Sequence, residues 1–267
     1  MGISEQPLPQ RILVHRDQLR GDRLTLSPDQ NHYLTRVLRL PPGSSFVAMF
    51  EEPVQPLTDA EPGRWWLCQL GSPSSPQLSP DSHPQIIQRV EEPSNTVPVT
   101  VLLAITKGGS FDEVLRQLTE LGVAAIAPIQ TARTVVVPGA NKLKRWQRII
   151  TEAAEQCERS PLPKLLPPTT WADALTLPSL THANPSRFIC VARSSAQRSL
   201  LTALHTQSRS PQSHWMIAIG PEGGWTDEEK SLAIAAGFEP VSLGDRILRA
   251  VTASVAAMAI AAAVWEG

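Results

Sequence analysis

Continuous apolar runs alternate with amphipathic stretches along the last two thirds of the chain. A short apolar run bounded by turn residues predicts a buried strand, and apolar residues recurring every three or four positions predict a helix. The predicted strands are residues 99–105, 123–129, 188–192, 215–219 and 240–243. The predicted helices are residues 111–121, 142–158, 171–175, 196–205 and 250–265. This alternation predicts an α/β domain whose parallel sheet is covered on both faces.

The first ninety residues follow a different pattern. The predicted strands are short and lie at residues 11–14, 46–50, 64–70 and 86–90. One short helix is predicted at residues 31–40, with Leu34, Val37 and Leu38 facing a core. Such a set predicts a compact module resembling a β-barrel. The segment EEPSNTVP at 91–98 is the predicted linker, so we expect one domain at 1–92 and a second at 93–267.

Two glycine-containing loops stand out between residues 215 and 249. Strand 215–219 runs into Gly-Pro-Glu-Gly-Gly at 220–224, and Thr226 with Glu229 fits a capping box for the next helix. Strand 240–243 runs into Gly244, and the last helix is expected to start at Ile247, ahead of its apolar stretch at 250–265. Glycine loops at the carboxyl ends of neighbouring strands are where an open α/β sheet binds a ligand. We therefore expect the ligand site here.

Composition narrows the class of protein without naming a ligand. The 267 residues are 42% hydrophobic and 18% charged, and the net charge of −1 neither favours nor excludes nucleic acid. Three distant cysteines and a start without a secretion signal indicate a reducing compartment, so we expect a cytoplasmic protein. The apolar tail at 250–265 is shorter than the roughly 20 residues of a membrane helix. Histidines at isolated positions predict no metal site.

Five segments together resemble a known enzyme family. They are GPEGGWTDEE, AGFEPVSLGDRILR, HYLTRVLRL, ITKGGSFDEVLRQLTELGV and KRWQRIITEAAEQCERSPLP. Taken in their order along the chain, they resemble the RsmE-type 16S rRNA uridine-N3 methyltransferases of the SPOUT superfamily. The resemblance implies a SPOUT-type parallel sheet with a C-terminal trefoil knot, and an N-terminal PUA-like β-barrel that binds RNA. It also implies S-adenosylmethionine as the cofactor, a homodimer, and a uridine in the decoding region of 16S rRNA as the target.

The cofactor is expected between the two glycine loops. Because glycine has no Cβ, its main-chain groups can reach the adenine and ribose of the cofactor, and apolar side chains form the walls of the site. The predicted cofactor-binding residues are Ile219, Gly220, Pro221, Gly223, Gly224, Leu243, Gly244, Ile247 and Leu248. In related enzymes a third loop follows the strand that ends near residues 190–193. A plain turn is the alternative explanation for each glycine.

Charged residues in the same stretch are the candidates for catalysis. Negative charge that develops on the uracil carbonyls would be stabilised by a guanidinium, for which Arg249 is the first candidate and Arg246 the second. A salt bridge at a helix start is the alternative for Arg249. Glu222 is expected to position Arg249, to take the N3 proton, or only to order its loop.

RNA contacts are expected from local cations, because phosphate binding does not require a basic protein overall. The candidates are Arg11, Arg36 and Arg39 in the N-terminal module, Arg133 after a strand, and Lys142, Lys144, Arg145 and Arg148 on the long helix. Arg36 and Arg39 are expected to share a helix face with His32. Ordinary solvated charge is the alternative for each one.

Two departures from the family pattern leave alternatives open. The family usually continues RILR with Thr-Glu-Thr-Ala, whereas this chain has Ala250-Val251-Thr252-Ala253, and Gly109 stands where the family often has Asp. Activity survives if the missing acid is not the general base. The alternatives are a catalytically silent RNA-binding or ribosome-assembly protein, or a SPOUT methyltransferase acting on another RNA site.

An alanine-rich face on the last helix also has two explanations. Ala253, Ala256, Ala257 and Ala261 recur at helical spacing. They predict either packing on the chain's own sheet or a close contact between two copies.

Overall fold

A computed structural model describes residues 10–57, 60–71, 84–90, 96–106, 108–134, 138–159, 161–177, 185–192, 198–207, 210 and 213–267. The chain divides into two compact units. The first comprises Met1–Ser94 and Glu158–Pro161, and the second comprises Asn95–Cys157 and Leu162–Gly267. The sequence pattern did not predict that a short segment after the long helix would return to the first unit.

The first unit is built on a six-stranded sheet. Its strands are β1 (Arg11–Val14), β2 (Leu19–Arg20), β3 (Arg23–Leu24), β4 (Ser45–Val54), β5 (Gly63–Gln69) and β6 (Gln85–Arg89). The order is β1-β4-β5-β6-β3-β2, with β1 parallel to β4 and the other pairs antiparallel. Phe46, Ala48, Phe50 and Trp66 lie on the inner face of the sheet in one buried cluster. β4 continues through residues 51–54, beyond the predicted end of this strand at residue 50.

The helical region of the first unit differs from the prediction. A capping box of Ser27 and Gln30 starts α1 (Pro28–His32) earlier than expected, and a π-helical turn, Tyr33–Val37, follows. Leu34 is fully buried as predicted, but Val37 is 58% exposed because the wider turn rotates it out of the core. Arg39 lies beyond this turn with φ of 53°, so it does not continue the helix face that carries Arg36.

The prediction that Arg11 is a surface cation is wrong. Its residue is only 3% exposed, since every residue of β1 is buried. The guanidinium forms an ion pair with Glu158 and lies 4.9 Å from the centre of the Trp65 ring. Arg11 therefore holds the returning segment Glu158–Pro161 to the sheet and is not available to RNA.

The second unit is a parallel α/β sheet, as the alternation of strands and helices predicted. The strands are β7 (Val97–Ala104), β8 (Val123–Gln130), β9 (Lys164–Leu165), β10 (Thr169–Thr170), β11 (Ser186–Cys190), β12 (Trp215–Ile219) and β13 (Glu239–Val241). The helices are α2 (Ser110–Glu120), α3 (Ala140–Gln156), α4 (Trp171–Leu175), α5 (Leu200–His205), α6 (Asp227–Ala235) and α7 (Ala250–Glu266). The order is β10-β8-β7-β12-β11-β13, with β9 beside β8, and all recorded pairs are parallel.

Both faces of this sheet are covered. On one face α2, α3, α5 and α7 pack around a cluster that includes Trp146, Ile149 and Ile150, the inward positions predicted for α3. On the other face Trp171 of α4 and Phe238, which follows α6, close a second cluster. Because the side chains on both faces of each strand are buried, the strands are apolar along their whole length.

Strand order corrects one prediction about the site. The two strands that precede the glycine loops, β12 and β13, are not neighbours, because β11 lies between them and pairs with both. The loop after β11, which the resemblance implied as a third loop, therefore lies between the two glycine loops at this end of the sheet. Sequence cannot predict the order of strands in a parallel sheet, since each crossover is free to skip a position.

The limits of two helices also differ. The last helix begins at Ala250 with Arg249 as its N-cap, three residues later than the expected start at Ile247. α5 begins at Leu200 after the cap Ser199, and the predicted positions 196–197 lie outside the described residues. The described part of the chain has no helix that is long and apolar enough to cross a membrane.

The alanine face of α7 is largely used within its own unit. Ala257 and Ala261 are buried in the core between α7, the sheet and its neighbouring helices. Ala256 is half-buried, and Ala253 lines the cavity described below. Packing on the chain's own sheet is thus confirmed for Ala257 and Ala261.

Candidate active site

A cavity of about 410 Å³ opens at the carboxyl ends of β11, β12 and β13. Its walls come from the three loops that follow these strands and from the starts of α6 and α7. The lining residues are Cys190, Val191, Ala192, Ile219, Gly220, Pro221, Glu222, Gly224, Trp225, Lys230, Leu243, Gly244, Arg246, Ile247, Leu248, Ala250 and Ala253. Every predicted cofactor-binding residue except Gly223 is in this set. The structure thus brings together positions that are up to 63 residues apart in the chain.

The loop after β12 is braced from inside by Trp225. The indole N–H donates a 3.0 Å hydrogen bond to the carbonyl of Cys190, which ties this loop to the end of β11. The ring packs 4.5 Å from the Trp171 ring, between centres. A Cβ at Gly220 would lie 2.9 Å from Trp225 Cε2, closer than real Cβ contacts. Gly220 is therefore required by the indole that lies over it.

Arg133 braces the same loop from the other side. Its guanidinium donates a hydrogen bond to the carbonyl of Gly223, and a Cβ at Gly223 would lie 2.9 Å from Arg133 Cδ. Gly223 therefore faces Arg133 and is not among the residues that line the cavity, so the predicted cofactor contact there stays a prediction. Arg133 does reach the site as expected, but one N–H of its guanidinium is committed to the loop.

A buried carboxylate joins the start of α6 to the segment that carries Arg133. The predicted capping box is confirmed: Thr226 Oγ1 accepts from the Glu229 N–H at 3.2 Å, and Glu229 Oε2 accepts from the Thr226 N–H at 2.8 Å. Glu229 is only 5% exposed, and its other oxygen accepts from the Ala132 N–H at 2.7 Å. Burial of a carboxylate requires such compensation. Glu229 thus links α6 to the loop after β8.

The loop after β13 is far more open. Residues 244 to 247 are all exposed, and Ile247 is 58% exposed although it borders the cavity. Gly244 has φ of 110°, a conformation that side chains with a Cβ rarely adopt. Its N–H donates a 3.3 Å hydrogen bond to Ser242 Oγ. Leu243 and Leu248 are half-buried and form the apolar walls of the cavity on this side.

The third wall is the end of β11, whose residues 190–192 line the cavity. The Val191 N–H donates a 3.0 Å hydrogen bond to the carbonyl of Val241, which ties this segment to β13. Burial raises the pKa of the Cys190 thiol to about 12, so the side chain is neutral and apolar at physiological pH. Arg193, up to which the strand before this loop was expected to extend, lies outside the described residues.

The three catalytic candidates are exposed at or next to the cavity. Glu222 and Arg246 line it. Arg249 does not, but it stands between Leu248 and Ala250, which do, and its backbone caps α7 while its side chain makes no cap hydrogen bond. Val251, at the position of the family's acid, is partly buried against the core and does not line the cavity.

The predicted RNA-binding cations of α3 lie on its outer face. Arg145 is 61% exposed and pairs with Asp112 at 2.8 Å, and Arg148 is 70% exposed and pairs with Glu152 at 3.4 Å. Lys142 lies 5.5 Å from the centre of the Trp146 ring. The Arg148 pair is exposed and therefore weak, which leaves its charge available to a phosphate. Asp112 is only 14% exposed and also accepts from the Trp146 indole N–H, so it holds Arg145 more firmly.

Sequence analysis missed four lining residues, namely Ala250 and Ala253 in the first turn of α7, and Trp225 and Lys230. Trp225 directly follows the glycine loop, and a large aromatic residue at that place was the available signal. Lys230 follows the capping box by one residue, and only its position on the inner side of α6 brings it to the cavity. Nothing in the local pattern separates Lys230 from a solvated lysine.

The chain is similar to known RNA methyltransferases. The family model described as an RNA methyltransferase domain matches residues 92–262. The ribosomal RNA small subunit methyltransferase E of Synechocystis sp. is 41% identical over 96% of this chain and 78% of that protein. The protein of the same name from Bacillus subtilis is 28% identical over 88% of this chain and 87% of that protein.

Two solved structures share the architecture over almost the whole length. A ribosomal RNA small subunit methyltransferase E of Neisseria gonorrhoeae, bound to S-adenosylmethionine, superimposes with a TM-score of 0.76 at 27% identity, over 96% of this chain and 98% of that one. A methyltransferase structure from Legionella pneumophila, with its cofactor SAM bound, gives a TM-score of 0.75 at 26% identity, over 96% and 97%. The chain therefore belongs to the RNA methyltransferase family and, within it, to the RsmE-type small-subunit ribosomal RNA methyltransferases.

Proposed function

We propose that the protein is an S-adenosylmethionine-dependent methyltransferase that methylates N3 of a uridine in 16S rRNA of the small ribosomal subunit. The observation that carries the proposal is the cavity at the ends of β11, β12 and β13, in a chain of this family. Two solved relatives with the same architecture hold the same cofactor.

The cavity fits the proposed cofactor in size and chemistry. Small-molecule sites are typically about 300–1,000 Å³, and this one is about 410 Å³. Gly220, Gly224 and Gly244 bring backbone without a Cβ to the cavity wall, where it would contact the adenine edge and ribose, and Leu243 and Leu248 offer apolar contact. These residues would hold and orient the adenosyl group. When bound, S-adenosylmethionine supplies an electrophilic methyl group on its sulfonium.

The chain's own part in the reaction is to align the base and to manage its proton. N3 lies on the Watson–Crick edge, so the target uridine must be unpaired to be reached. A guanidinium beside the uracil carbonyls stabilises the charge that develops as the N3 proton leaves, and Arg249 or Arg246 supplies it. Glu222 takes that proton or positions the arginine. Alignment itself contributes much of the rate.

Val251 bears on the alternative of a silent protein. A residue that packs against the core and does not line the cavity is poorly placed to act as a base. Its position supports the hypothesis that the acid found here in relatives orders the start of α7 and does not take the N3 proton. An active enzyme is therefore compatible with Val251.

RNA binding is proposed for exposed cations in both units. Arg36 and Arg39 serve in the first unit, and Lys142, Lys144, Arg145 and Arg148 in the second. Arg133 is adjacent to the cavity loop and adds a positive charge there. Each phosphate contact that is removed should lower the slope of log affinity against log salt by about 0.7 to 0.9.

The proposal extends to the assembly and to two finer features of the fold. The first unit is a PUA-like RNA-binding barrel, and the chain after β13 forms a C-terminal trefoil knot. A homodimer completes the enzyme, and its cytoplasmic location follows from its ribosomal target. The six-stranded sheet, the parallel sheet and the family support these features. Light scattering tests the dimer, since a monomer at micromolar concentration would contradict it.

Labelled S-adenosylmethionine and small subunits that lack the modification test the reaction. We expect label in 3-methyluridine after digestion of the 16S rRNA to nucleosides, and none with free large-subunit RNA. Label on a ribose or another base would support a different RNA site. Absence of transfer together with intact cofactor binding would support the silent RNA-binding alternative.

A further inference from the structure

Lys230 has a place in the cavity that the proposed reaction does not use. It lies in the first turn and a half of α6, and its side chain is 39% exposed. It borders the same space as Gly220, Glu222 and Leu243. Its ammonium group forms a 2.6 Å ion pair with Asp227, whose side chain is 97% exposed. The lysine is thus a cation at the cavity with one solvent-facing partner.

Few of the described lining residues carry charge. Glu222 is acidic, Lys230 and Arg246 are basic, and the remaining lining residues are uncharged. S-adenosylmethionine carries two positive groups, its sulfonium and its amine, and one negative group, its carboxylate. The adenosine part is neutral. A cation in the wall is therefore complementary only to the carboxylate of the amino-acid tail.

Lys230 is better fixed than Arg246 for this task. α6 is held by the Thr226–Glu229 capping box and by the hydrogen bond from the Ala132 N–H to Glu229. Arg246 lies in the exposed stretch that follows Gly244. A charge on an anchored helix loses less conformational freedom when a ligand binds, so more of its interaction contributes to affinity.

The existing partner does not prevent such a contact. Exposed ion pairs contribute only about 0–1 kcal/mol, so Lys230 exchanges Asp227 for a better-shielded carboxylate or bridges the two. The hydrogen bond and charge of Lys230 lower the pKa of Asp227, which keeps it ionised and competing at physiological pH. Asp227 thus weakens the affinity of Lys230 for a second carboxylate.

We propose that Lys230 binds the carboxylate of the methionine tail of S-adenosylmethionine, an inference that rests on the proposed function. The adenosyl end is held by the glycine loops and the tail end by this ammonium group. The contact selects the complete cofactor over adenosyl compounds that lack the acid.

Calorimetry with two ligands tests the inference. S-adenosylmethionine and its decarboxylated analogue differ only in the carboxylate. The proteins are the full-length chain, Lys230→Gln, Lys230→Arg and, as a matched control, Lys164→Gln on β9 away from the cavity. We expect the unaltered chain to bind the complete cofactor about tenfold more tightly than the analogue, the scale of one charge-assisted hydrogen bond. Lys230→Gln should lose that preference, while Lys230→Arg and Lys164→Gln keep it.

The outcomes separate this inference from the proposed function. A Lys230→Gln protein that weakens both ligands equally, or neither, overturns the role of Lys230 and leaves cofactor binding intact. An unaltered chain that binds neither ligand overturns the proposed function, and the inference with it. Thermal unfolding of each variant, measured without ligand, shows whether a loss of affinity comes from a damaged fold.

Asp227→Asn supplies a test of opposite sign. Removal of the competing carboxylate should tighten binding of the complete cofactor about twofold, since the exposed pair is weak. Affinity for the decarboxylated analogue should not change. Equal tightening of both ligands, or weaker binding of the complete cofactor, counts against the proposed contact.

Discussion

The two glycine loops of the cavity are built in different ways. The loop after β12 is held by Trp225, by Arg133 and by the buried carboxylate of Glu229. The loop after β13 is exposed from residue 244 to 247, and Gly244 adopts its conformation in open space. The loop after β12 is fixed by these contacts, whereas the loop after β13 exposes its charged side chains to solvent. Substitutions in the first should therefore change stability, and those in the second should change function.

Arg249→Ala is expected to have the largest effect. Loss of a group that stabilises developing charge should lower the rate of methyl transfer about 100-fold. Stability and cofactor affinity should be unchanged, because the side chain is exposed and does not line the cavity. Single-turnover transfer of labelled methyl measures this, with Arg116→Ala on the exposed face of α2 as the control. An unchanged rate would shift the role to Arg246.

Glu229→Ala should damage the braced loop most. It removes the partly buried hydrogen bonds that the Ala132 and Thr226 N–H groups donate to a carboxylate, which should lower the free energy of unfolding by about 2–3 kcal/mol. Urea denaturation gives the value. The neighbouring Glu228→Ala, on the exposed side of the same helix turn, is the matched control and should be close to neutral. Equal losses of stability in the two variants would contradict the role of Glu229 in holding the loop.

Alanine substitutions of Gly220 and Gly244 compare the two loops directly by their effect on stability. Gly220→Ala pushes against the Trp225 ring and should cost about 2 kcal/mol of stability, as overpacking does. Gly244→Ala meets no atom within 4 Å but forces alanine into φ of 110°, which should cost about 1 kcal/mol. Thermal unfolding and cofactor titration are measured on both. A larger loss of stability for Gly244→Ala would reverse the comparison.

Trp225→Phe is expected to have the smallest effect. It keeps the aromatic contact with Trp171 and removes only the hydrogen bond to the Cys190 carbonyl, so about 1 kcal/mol of stability should be lost. Cofactor affinity should fall modestly, because β11 and the loop after β12 are then less firmly joined. A neutral result in urea denaturation would mean that water replaces the indole N–H.

Arginines show how far a linear pattern predicts function. Arg11 and Arg36 looked alike as candidates for RNA, yet Arg11 is buried on Trp65 and Glu158 whereas Arg36 is exposed. Glu158 is distant in the chain and enters the first unit only through the returning segment. Arg133 likewise gained a bracing role from Gly223, ninety residues away. A partner at such a distance leaves no local signal.

The sequence by itself determined the class of the second unit and most of the cavity wall. Apolar period, capping residues and glycine positions are local properties, so β12, the start of α6 and the lining glycines could be predicted from neighbouring residues. Tertiary structure alone decided that β11 lies between β12 and β13, that Gly223 faces Arg133, and that Lys230 reaches the cavity. These depend on the order in which crossovers place strands and on contacts between distant segments. Such choices are made by packing of the whole sheet, because many orders satisfy the same local pattern.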